Sequence, residues 1–223
     1  MLIDENIIRT KQSMFAIVKQ KFFKLLSKKN RKKINKSMQQ RLKQKDVTII
    51  ASFCGGGTIY HDLDLKFLSP TINTAFDGPD FCRFCCDLKK NLNEEIKEAK
   101  TSKVNYPVGK IGNNIEIRFV HYDNFENAKI KWNQRRKRVN YDKILILATD
   151  RDGMYDEECL KSFDKLPYKK IMFTSKKYPY DWAIYCDYFK HSNNVGIMTG
   201  ISGLKGNRYY EDYIDIVELL NNV

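Results

Sequence analysis

Short apolar segments that alternate with amphipathic ones constrain the fold of this chain more than any other feature of its sequence. Three of them, VTIIAS (47–52), KILILAT (143–149) and KKIMFTS (169–175), are dominated by β-branched and aliphatic residues. Strands that are buried on both faces of a parallel sheet have this composition. We therefore predict three buried strands, with WAIYC (182–186) as a fourth.

Segments with helical spacing separate these strands. Pro79 suits the start of the first helix, and Asn124 or Asp123 suits the N-cap of the second. The segment IEIRFVHY (115–122) alternates as a strand does. The predicted helices cover residues 78–100, 124–140, 156–166 and 209–222. The alternation predicts an α/β fold, with a mostly parallel sheet and helices on both of its faces.

Basic residues are concentrated at the N-terminus. The chain has a net charge of +13, and its first 45 residues hold 14 Lys and Arg but only Asp4 and Glu5 as acids. The remaining residues are close to neutral, so the excess charge belongs to one segment. We therefore expect two parts, a basic amphipathic helical arm over residues 1–45 and an α/β domain over residues 46–223.

Three interpretations of the arm are compatible with its sequence. Its apolar residues recur at helical spacing, and lysines fill the rest of the helix surface. These apolar residues are Phe15, Val18, Phe22, Leu25 and Leu26. Such a helix docks on the domain with its lysines in water, lies on an anionic membrane, or binds nucleic acid. Because the signatures of nucleic-acid reading modules are missing, no nucleic-acid partner is expected.

The sequence also predicts where the protein resides. It has no run of 18 apolar residues, and its opening MLIDENIIRTK carries acids where a secretory signal has basic residues. We expect a cytoplasmic protein, peripheral on the inner membrane face if the arm binds lipid. Its six cysteines are then expected to be free thiols.

Polar residues follow several predicted strands, at the ends where open parallel sheets bind their ligands. Cys54 follows the first strand, His121 ends the segment IEIRFVHY, and Asp150 follows KILILAT. If these strands are neighbours, their polar side chains form one rim. The sequence thus predicts a single polar pocket at the carboxyl edge of the sheet.

The glycine turn after the first strand has two interpretations. Gly55, Gly56 and Gly57 permit close backbone approach, so their N–H groups suit an anion or an oxyanion. Cys54 at the start of a helix is expected to have a lowered pKa and to act as a nucleophile, with His61 as its base. The alternative is a tight strand-to-helix connection beside an inert cysteine. The spacing matches neither a P-loop nor a dinucleotide fingerprint.

Two further groups suit chemistry at this rim. His121 is a second candidate base, and Arg135 and Arg138 share a helix face that suits a phosphate or carboxylate. Asp150 and Asp152 have the form of the DxD motif with which glycosyltransferases hold a divalent cation. Each group also has a structural interpretation, as a strand-end histidine, a solvated helix face or a capped turn.

Several motifs, in this order, resemble a bacterial domain family found in exopolysaccharide and capsule biosynthesis loci. They are SFCGGGTIYHDLDLKFLSPTIN, YPVGKI, IRFVHYDNFENAKIKWNQRRKRVNYDKILIL and KKIMFT, within residues 46–175. The sequence departs from the family's pattern beside the cysteine, where Phe53 and Gly55 stand. The turn also resembles, more distantly, capsule acyltransferases that bind coenzyme A, and this likeness implies Cys54 and His61 as a pair.

The resemblance implies a transferase of cell-surface polysaccharide biosynthesis, with a polysaccharide or a lipid-linked sugar as its substrate. Acyl transfer to a sugar hydroxyl from acetyl-coenzyme A is the first hypothesis, with Arg135 and Arg138 on a coenzyme A phosphate. Glycosyl transfer from a nucleotide-sugar is the second, and it alone brings a divalent metal. A non-catalytic component of the synthesis complex is the third.

Overall fold

The computed structural model describes the backbone of residues 2–99, 104–112 and 114–223, and the side chains within these ranges from Phe22 onward. The strands are β1 (Thr48–Ala51), β2 (Ile96–Glu98), β3 (Val108–Ile111), β4 (Ile115–Arg118), β5 (Ile144–Thr149), β6 (Lys169–Thr174) and β7 (Ala183–Tyr185). The helices are α1 (Leu2–Arg41), α2 (Gly55–Asp62), α3 (Gly78–Cys86), α4 (Leu88–Asn93), α5 (Phe125–Arg136), α6 (Glu157–Asp164) and α7 (Ile216–Asn221). Short 3₁₀ turns span Asp187–Phe189 and Tyr209–Asp212.

A four-stranded parallel sheet lies at the centre of the fold, in the order β1-β5-β6-β7. Ile49 in β1 pairs with Leu145 in β5, and Leu147 in β5 pairs with Ile171 in β6. Every residue of β1 and β5 is buried because both faces of the sheet are covered, and this burial explains their apolar composition. The predicted α/β fold with a mostly parallel sheet is confirmed.

The two faces of the sheet belong to two separate hydrophobic cores. Ile50, Ile146 and Met172 lie in the first core, together with residues of α3, α5 and α6. Ile49 and Leu145 lie in the second core, together with residues of α1, α2 and α7. Neighbouring residues of one strand therefore serve opposite layers, as the alternation of side chains along a strand requires.

Three predicted segments differ from the structure. Segment 78–100 divides into α3, α4 and β2, with Asp87 between the two helices. The segment IEIRFVHY contributes β4, which joins β2 and β3 in an antiparallel sheet apart from the parallel one. Segment 209–222 is a regular helix only in α7. The prediction of one helix over residues 78–100 was wrong because Ile96 pairs with Ile111 and is buried there. This tertiary contact overrides the local helical spacing.

The second half of α1 packs on the domain. Met38 and Leu42 are buried in the second core, and Arg31 is 6% exposed. Its guanidinium lies 2.5 Å from the Glu211 carboxylate and 3.4 Å from that of Asp62. Among the residues described, no helix is long and apolar enough to cross a membrane.

The apolar stripe predicted for the arm does not face the domain throughout. Phe15 and Val18 lie outside the side chains that the structure describes. Phe22 is 58% exposed and Leu25 is 67% exposed, whereas Leu26 is half-buried. The side-chain contacts that hold α1 on the domain come instead from Asn30 onward, and the side-chain amide of Asn30 donates to the Leu204 carbonyl at 2.9 Å.

Candidate active site

The turn between β1 and α2 brings a thiol and an imidazole together. Cys54 is the N-cap residue of α2, and its Sγ lies 3.4 Å from Nε2 of His121. Cys54 is half-buried and His121 is exposed, so the pair is accessible from solvent. A thiol within hydrogen-bond reach of an imidazole has the geometry of a nucleophile and its base.

The glycines of this turn let α2 begin close to the sheet. A Cβ on Gly55 would lie 2.5 Å from the Phe53 ring, and a Cβ on Gly56 would lie 3.3 Å from the Ala51 methyl group. Thr58 is the first intrahelical donor, and its N–H bonds to the carbonyl of the cysteine at 3.2 Å. The N–H groups of the three preceding glycines therefore have no acceptor within the helix, and they belong to the turn that directly follows Cys54.

His121 lies in the turn that follows β4 of the antiparallel sheet, and one extended segment connects that sheet to the end of β1. Ala75 and Arg118 exchange two backbone hydrogen bonds, each of 2.9 Å. The N–H of Phe76 then donates to the Ser52 carbonyl at 3.2 Å. Ser52 and Arg118 lie within three residues of the thiol and the imidazole respectively, so this segment sets the distance between the two reactive groups.

Arg135 and Arg138 donate hydrogen bonds to the loop between α2 and α3, beside the site. Nη1 of Arg135 donates to the Ile72 carbonyl at 3.2 Å and to the Tyr122 hydroxyl at 2.8 Å. Nη1 of Arg138 donates to the Phe67 carbonyl at 3.3 Å, and the Arg135 guanidinium lies 5.1 Å from the centre of the Phe67 ring. These contacts give both arginines a positioning role where the sequence predicted a phosphate clamp.

The environment of Cys54 favours the protonated thiol. Burial raises the pKa of Cys54, and a hydrogen bond from its own backbone N–H lowers it by a smaller amount. The net direction is opposite to the lowered pKa that the sequence predicted from the helix N-terminus. A nucleophile with a raised pKa needs a nearby base at neutral pH, and the imidazole of His121 is placed to supply one.

His61 does not join this pair. α2 carries it seven residues from Cys54, which corresponds to about 10 Å along the helix. Its side chain is 82% exposed, and its Nδ1 lies 3.8 Å from Oδ1 of Asp62. The pairing of Cys54 with His61 that the resemblance implies is therefore not the one that the fold brings together.

Asp150 is a buried residue whose carboxylate is bonded within the protein. It is 1% exposed. Its Oδ2 accepts from the N–H and O–H of Ser175 at 2.6 and 2.7 Å, and its Oδ1 accepts from the N–H of Val195 at 2.7 Å. Asp152 is exposed, with a φ of 56° and with Oδ1 3.8 Å from Nη2 of Arg118. The two aspartates thus do not face a common ligand, and the described residues contain no cluster of His, Cys, Asp and Glu that could hold a metal ion.

Asn73 lies beside the glycine turn, and it was not among the site residues predicted from the sequence. Its φ is 64°, in the left-handed region that Asn tolerates better than most residues. Its Oδ1 lies 3.8 Å from the position that a Cβ on Gly57 would occupy. An amide side chain so close to the start of α2 can orient a polar substrate. The signal for it was the Asn within SPTIN, at the end of the cysteine motif.

A separate cleft of about 700 Å³ lies between α3, α4, α6 and the β3–β4 hairpin. Cys82 and Cys159 line it, and Arg83, Asp87 and Glu158 bring charges of both signs. Neither member of the Cys54–His121 pair lines this cleft. Size alone would favour the cleft as a binding site, but the arrangement of reactive groups favours the turn after β1.

Comparison with known proteins relates this geometry to a family. The model of a domain of unknown function, DUF1919, matches residues 25–221. The chain belongs to the DUF1919 family. An uncharacterised protein of Haemophilus influenzae is 36% identical to this DUF1919 protein over 205 residues, which cover 91% of this chain and 98% of the relative.

The extent of the family match shows which elements form one unit. It begins within α1 and ends at the last residue of α7. The unit thus includes the half of α1 that packs on the domain as well as Cys54 and His121. The docked half of α1 is therefore part of the DUF1919 domain itself.

Proposed function

We propose that this DUF1919 protein is a cysteine-dependent acyltransferase, with Cys54 as its nucleophile and His121 as its base. The 3.4 Å separation of Sγ and Nε2 carries the proposal, because a base must lie within hydrogen-bond reach of the proton that it removes. The strand–turn–helix setting supports it, since the first N–H groups of α2 have no acceptor within the helix and follow Cys54 directly.

The first half-reaction forms an acyl-enzyme. His121 takes the proton from Sγ while the sulfur attacks the carbonyl carbon of a thioester donor, for which we propose acetyl-coenzyme A. The N–H groups of Gly55, Gly56 and Gly57 receive the oxyanion of the tetrahedral intermediate. The bond between the carbonyl carbon and the donor sulfur then breaks, and His121 returns the proton to the departing thiolate.

The second half-reaction transfers the acyl group to oxygen. A hydroxyl of the acceptor attacks the acyl carbon, and His121 takes the hydroxyl proton. The carbon–Sγ bond breaks, and His121 returns the proton to Cys54. The sum of the two steps moves one acyl group from sulfur to oxygen, releases the donor as a free thiol, and changes no oxidation state.

The proposed acceptor is a sugar hydroxyl of a cell-surface polysaccharide or of its lipid-linked precursor. The resemblance of the motifs within residues 46–175 supports this choice. Exposed cations follow neighbouring strands at the carboxyl edge, with Arg151 after β5 and Lys176 and Lys177 after β6. Because Arg135 and Arg138 are bonded to the adjacent loop, these three residues are the better candidates for the phosphates of the donor.

Metal-dependent glycosyl transfer is the weaker hypothesis. It needs Asp150 as a ligand, but both carboxylate oxygens of Asp150 accept hydrogen bonds from Ser175 and Val195. A non-catalytic role in the synthesis complex is the conclusion that would follow if Cys54 proves inert toward acyl donors.

Mass spectrometry of the intact protein and of its proteolytic peptides, after incubation with acetyl-coenzyme A, tests the proposal. We expect the wild-type protein to gain an acetyl group on the peptide that contains Cys54 and to release coenzyme A. Cys54→Ala is expected to lose this adduct. Cys86→Ala is the matched control, because Cys86 is an exposed cysteine on α3 and its removal leaves the proposed pair intact.

Two variants test which histidine acts as the base, His121 or His61. We expect His121→Ala to lower the acetylation rate roughly 100-fold or more, which is the usual effect of losing a general base. His61→Ala should stay within about twofold of the wild type, since surface changes away from a site have small effects. Acetylation that persists in Cys54→Ala, or a wild-type protein that stays unmodified by acetyl- and longer acyl-coenzyme A, would contradict the proposal.

A further inference from the structure

One face of α1 is fixed against the domain. Met38 is buried on this face, as is Leu42 directly after the helix, and Arg31 forms its ion pair with Glu211 there. Gly206 packs directly on the helix, since a Cβ at that position would lie 2.6 Å from the backbone nitrogen of Arg31. These contacts prevent rotation of the helix about its axis, so the opposite face is committed to solvent.

The opposite face combines apolar and basic side chains. Residues of an α-helix are spaced by 100°, and six exposed residues that are apolar or basic lie on the side that points away from Arg31. We call them the outer face of α1, and they are Phe22, Leu25, Lys29, Lys32, Lys33 and Lys36. All six are exposed, and together they extend for about 21 Å along the helix.

The charged side chains of residues 22–45 are all positive. Residues 22–45 contain eight lysines and two arginines but no aspartate or glutamate. The two arginines are engaged with the domain, Arg31 with Glu211 and Arg41 with Asp215. The outer face therefore presents lysine ammonium groups, which act as point charges toward a diffuse negative surface.

We propose that the outer face of α1 binds an anionic lipid bilayer and holds the protein on its surface. Each lysine near an anionic leaflet contributes favourable electrostatic energy, and exposed apolar side chains enter the boundary between headgroups and acyl chains. Phe22 and Leu25 lie at one end of the face, and the four lysines continue it toward the domain. This inference does not depend on the chemistry of Cys54.

A bilayer fits the outer face better than a nucleic acid does. Phe22 and Leu25 gain nothing from a phosphate backbone, but they are buried favourably at a lipid interface. Arginine is the residue that binds phosphate groups in a bidentate manner, and both arginines of this region point to the domain. Binding to RNA is therefore an alternative outcome that the experiment must be able to detect.

Sedimentation with lipid vesicles tests the proposal on the full chain. We expect binding to phosphatidylcholine vesicles that contain about 30% phosphatidylglycerol, with little binding to phosphatidylcholine alone at an ionic strength of about 0.1 M. Replacing the four lysines of the outer face by Gln should weaken binding to the anionic vesicles on the order of 100-fold or more. The control removes four other exposed lysines by the same substitution, at Lys66, Lys97, Lys165 and Lys190. It has the same net charge and should bind within about threefold of the wild type.

Further variants separate the sources of binding. Phe22→Ser combined with Leu25→Ser should weaken vesicle binding roughly 10-fold while preserving its salt dependence. Cys54→Ala should bind vesicles as the wild type does, so that loss of the proposed activity and loss of lipid binding are distinguishable. Equal weakening by both lysine sets, equal binding to neutral vesicles, or binding to an RNA oligonucleotide without binding to vesicles would each refute the proposal.

Discussion

The turns after β1 and β5 lie at the same edge of one sheet, yet they have opposite characters. The two strands pair in parallel, so Cys54 and Asp150 follow neighbouring strands. Asp150 is 1% exposed and accepts hydrogen bonds from Ser175 and Val195. The thiol of Cys54 instead meets the imidazole of His121, which is exposed to solvent.

This difference shows that a place at the carboxyl edge does not by itself make a polar residue reactive. A carboxylate whose oxygens are already bonded to protein donors contributes to stability, because each buried donor would otherwise lack a partner. A thiol beside an accessible base keeps the capacity to react. Substitution of Asp150 should therefore change the free energy of unfolding, and substitution of Cys54 or His121 should change reactivity.

The largest effect is expected at the turn after β5. Asp150→Asn replaces one acceptor by an amide donor that faces the N–H donors of Ser175 or Val195, so we expect the free energy of unfolding to fall by about 2–4 kcal/mol. Asp152→Asn is the matched control, because Asn tolerates its left-handed φ, and it should change stability by less than about 0.5 kcal/mol. Urea unfolding followed by circular dichroism measures both, and equal losses would remove the distinction between the two turns.

The next effect concerns the reactivity of the turn after β1. We expect His121→Ala to slow alkylation of Cys54 by iodoacetamide roughly 100-fold at pH 7.5, because burial raises the pKa of the thiol and the variant lacks the base. The rate in this variant should still be rising with pH where an ordinary thiol, with a pKa of about 8.5, has levelled off. Mass spectrometry of the Cys54 peptide across pH gives both quantities. A variant as reactive as the wild type would show that the imidazole is not the base.

A smaller effect is expected where α2 starts against the sheet. Gly55→Ala places a Cβ 2.5 Å from the Phe53 ring and 3.2 Å from Leu147, so the ring must move. We expect a loss of about 1–3 kcal/mol in stability, the usual range for overpacking. Gly203→Ala has no atom within 4 Å of the new Cβ and should stay within about 0.5 kcal/mol. Thermal unfolding compares the two, and equal melting temperatures would argue against close packing at this turn.

The smallest effect concerns the stability of the cysteine variant. Cys54→Ala should change the free energy of unfolding by less than about 1 kcal/mol near pH 7, unlike the change at Asp150. Because the folded-state pKa of Cys54 is raised, its contribution to stability is full below the unfolded-state pKa and is lost as pH rises toward the folded value. The wild type should therefore lose stability faster than Cys54→Ala above about pH 8.5. Parallel urea titrations at pH 7 and pH 10 test this, and a constant difference would be the contrary result.

Local patterns in the sequence were enough to predict much of the fold. The apolar runs gave β1, β5 and β6, and Asn124 caps α5 as expected, since its Oδ1 accepts from the N–H of Asn127 at 2.9 Å. Within the antiparallel sheet, β4 falls inside the predicted strand IEIRFVHY, but β2 and the pairing of the three strands could not be predicted in the same way. Its strands are short, and Ile96 is held in place by Ile111 in β3, fifteen residues away, and not by any local preference.

The candidate site also depends on contacts between residues that are distant in the sequence. Cys54 and His121 were both candidates from residue type and position, but the sequence left His61 and His121 as alternative bases. Proximity along the chain favoured His61, whereas the observed pair is separated by 67 residues. Contacts such as the bridge between Ala75 and Arg118 decide this pairing, and they depend on the assembled layers.

The extended segment around Ala75 influences the distance between the thiol of Cys54 and the imidazole of His121. Cys54 follows a strand of the parallel sheet and His121 follows a strand of the antiparallel sheet, and the segment around Ala75 is hydrogen-bonded beside both strand ends. A shift of about 1 Å in this segment would break the contact between the thiol and the imidazole without altering Cys54 or His121. Under the proposed function, we therefore expect substitutions in this segment to change the rate even where Cys54 and His121 are both retained.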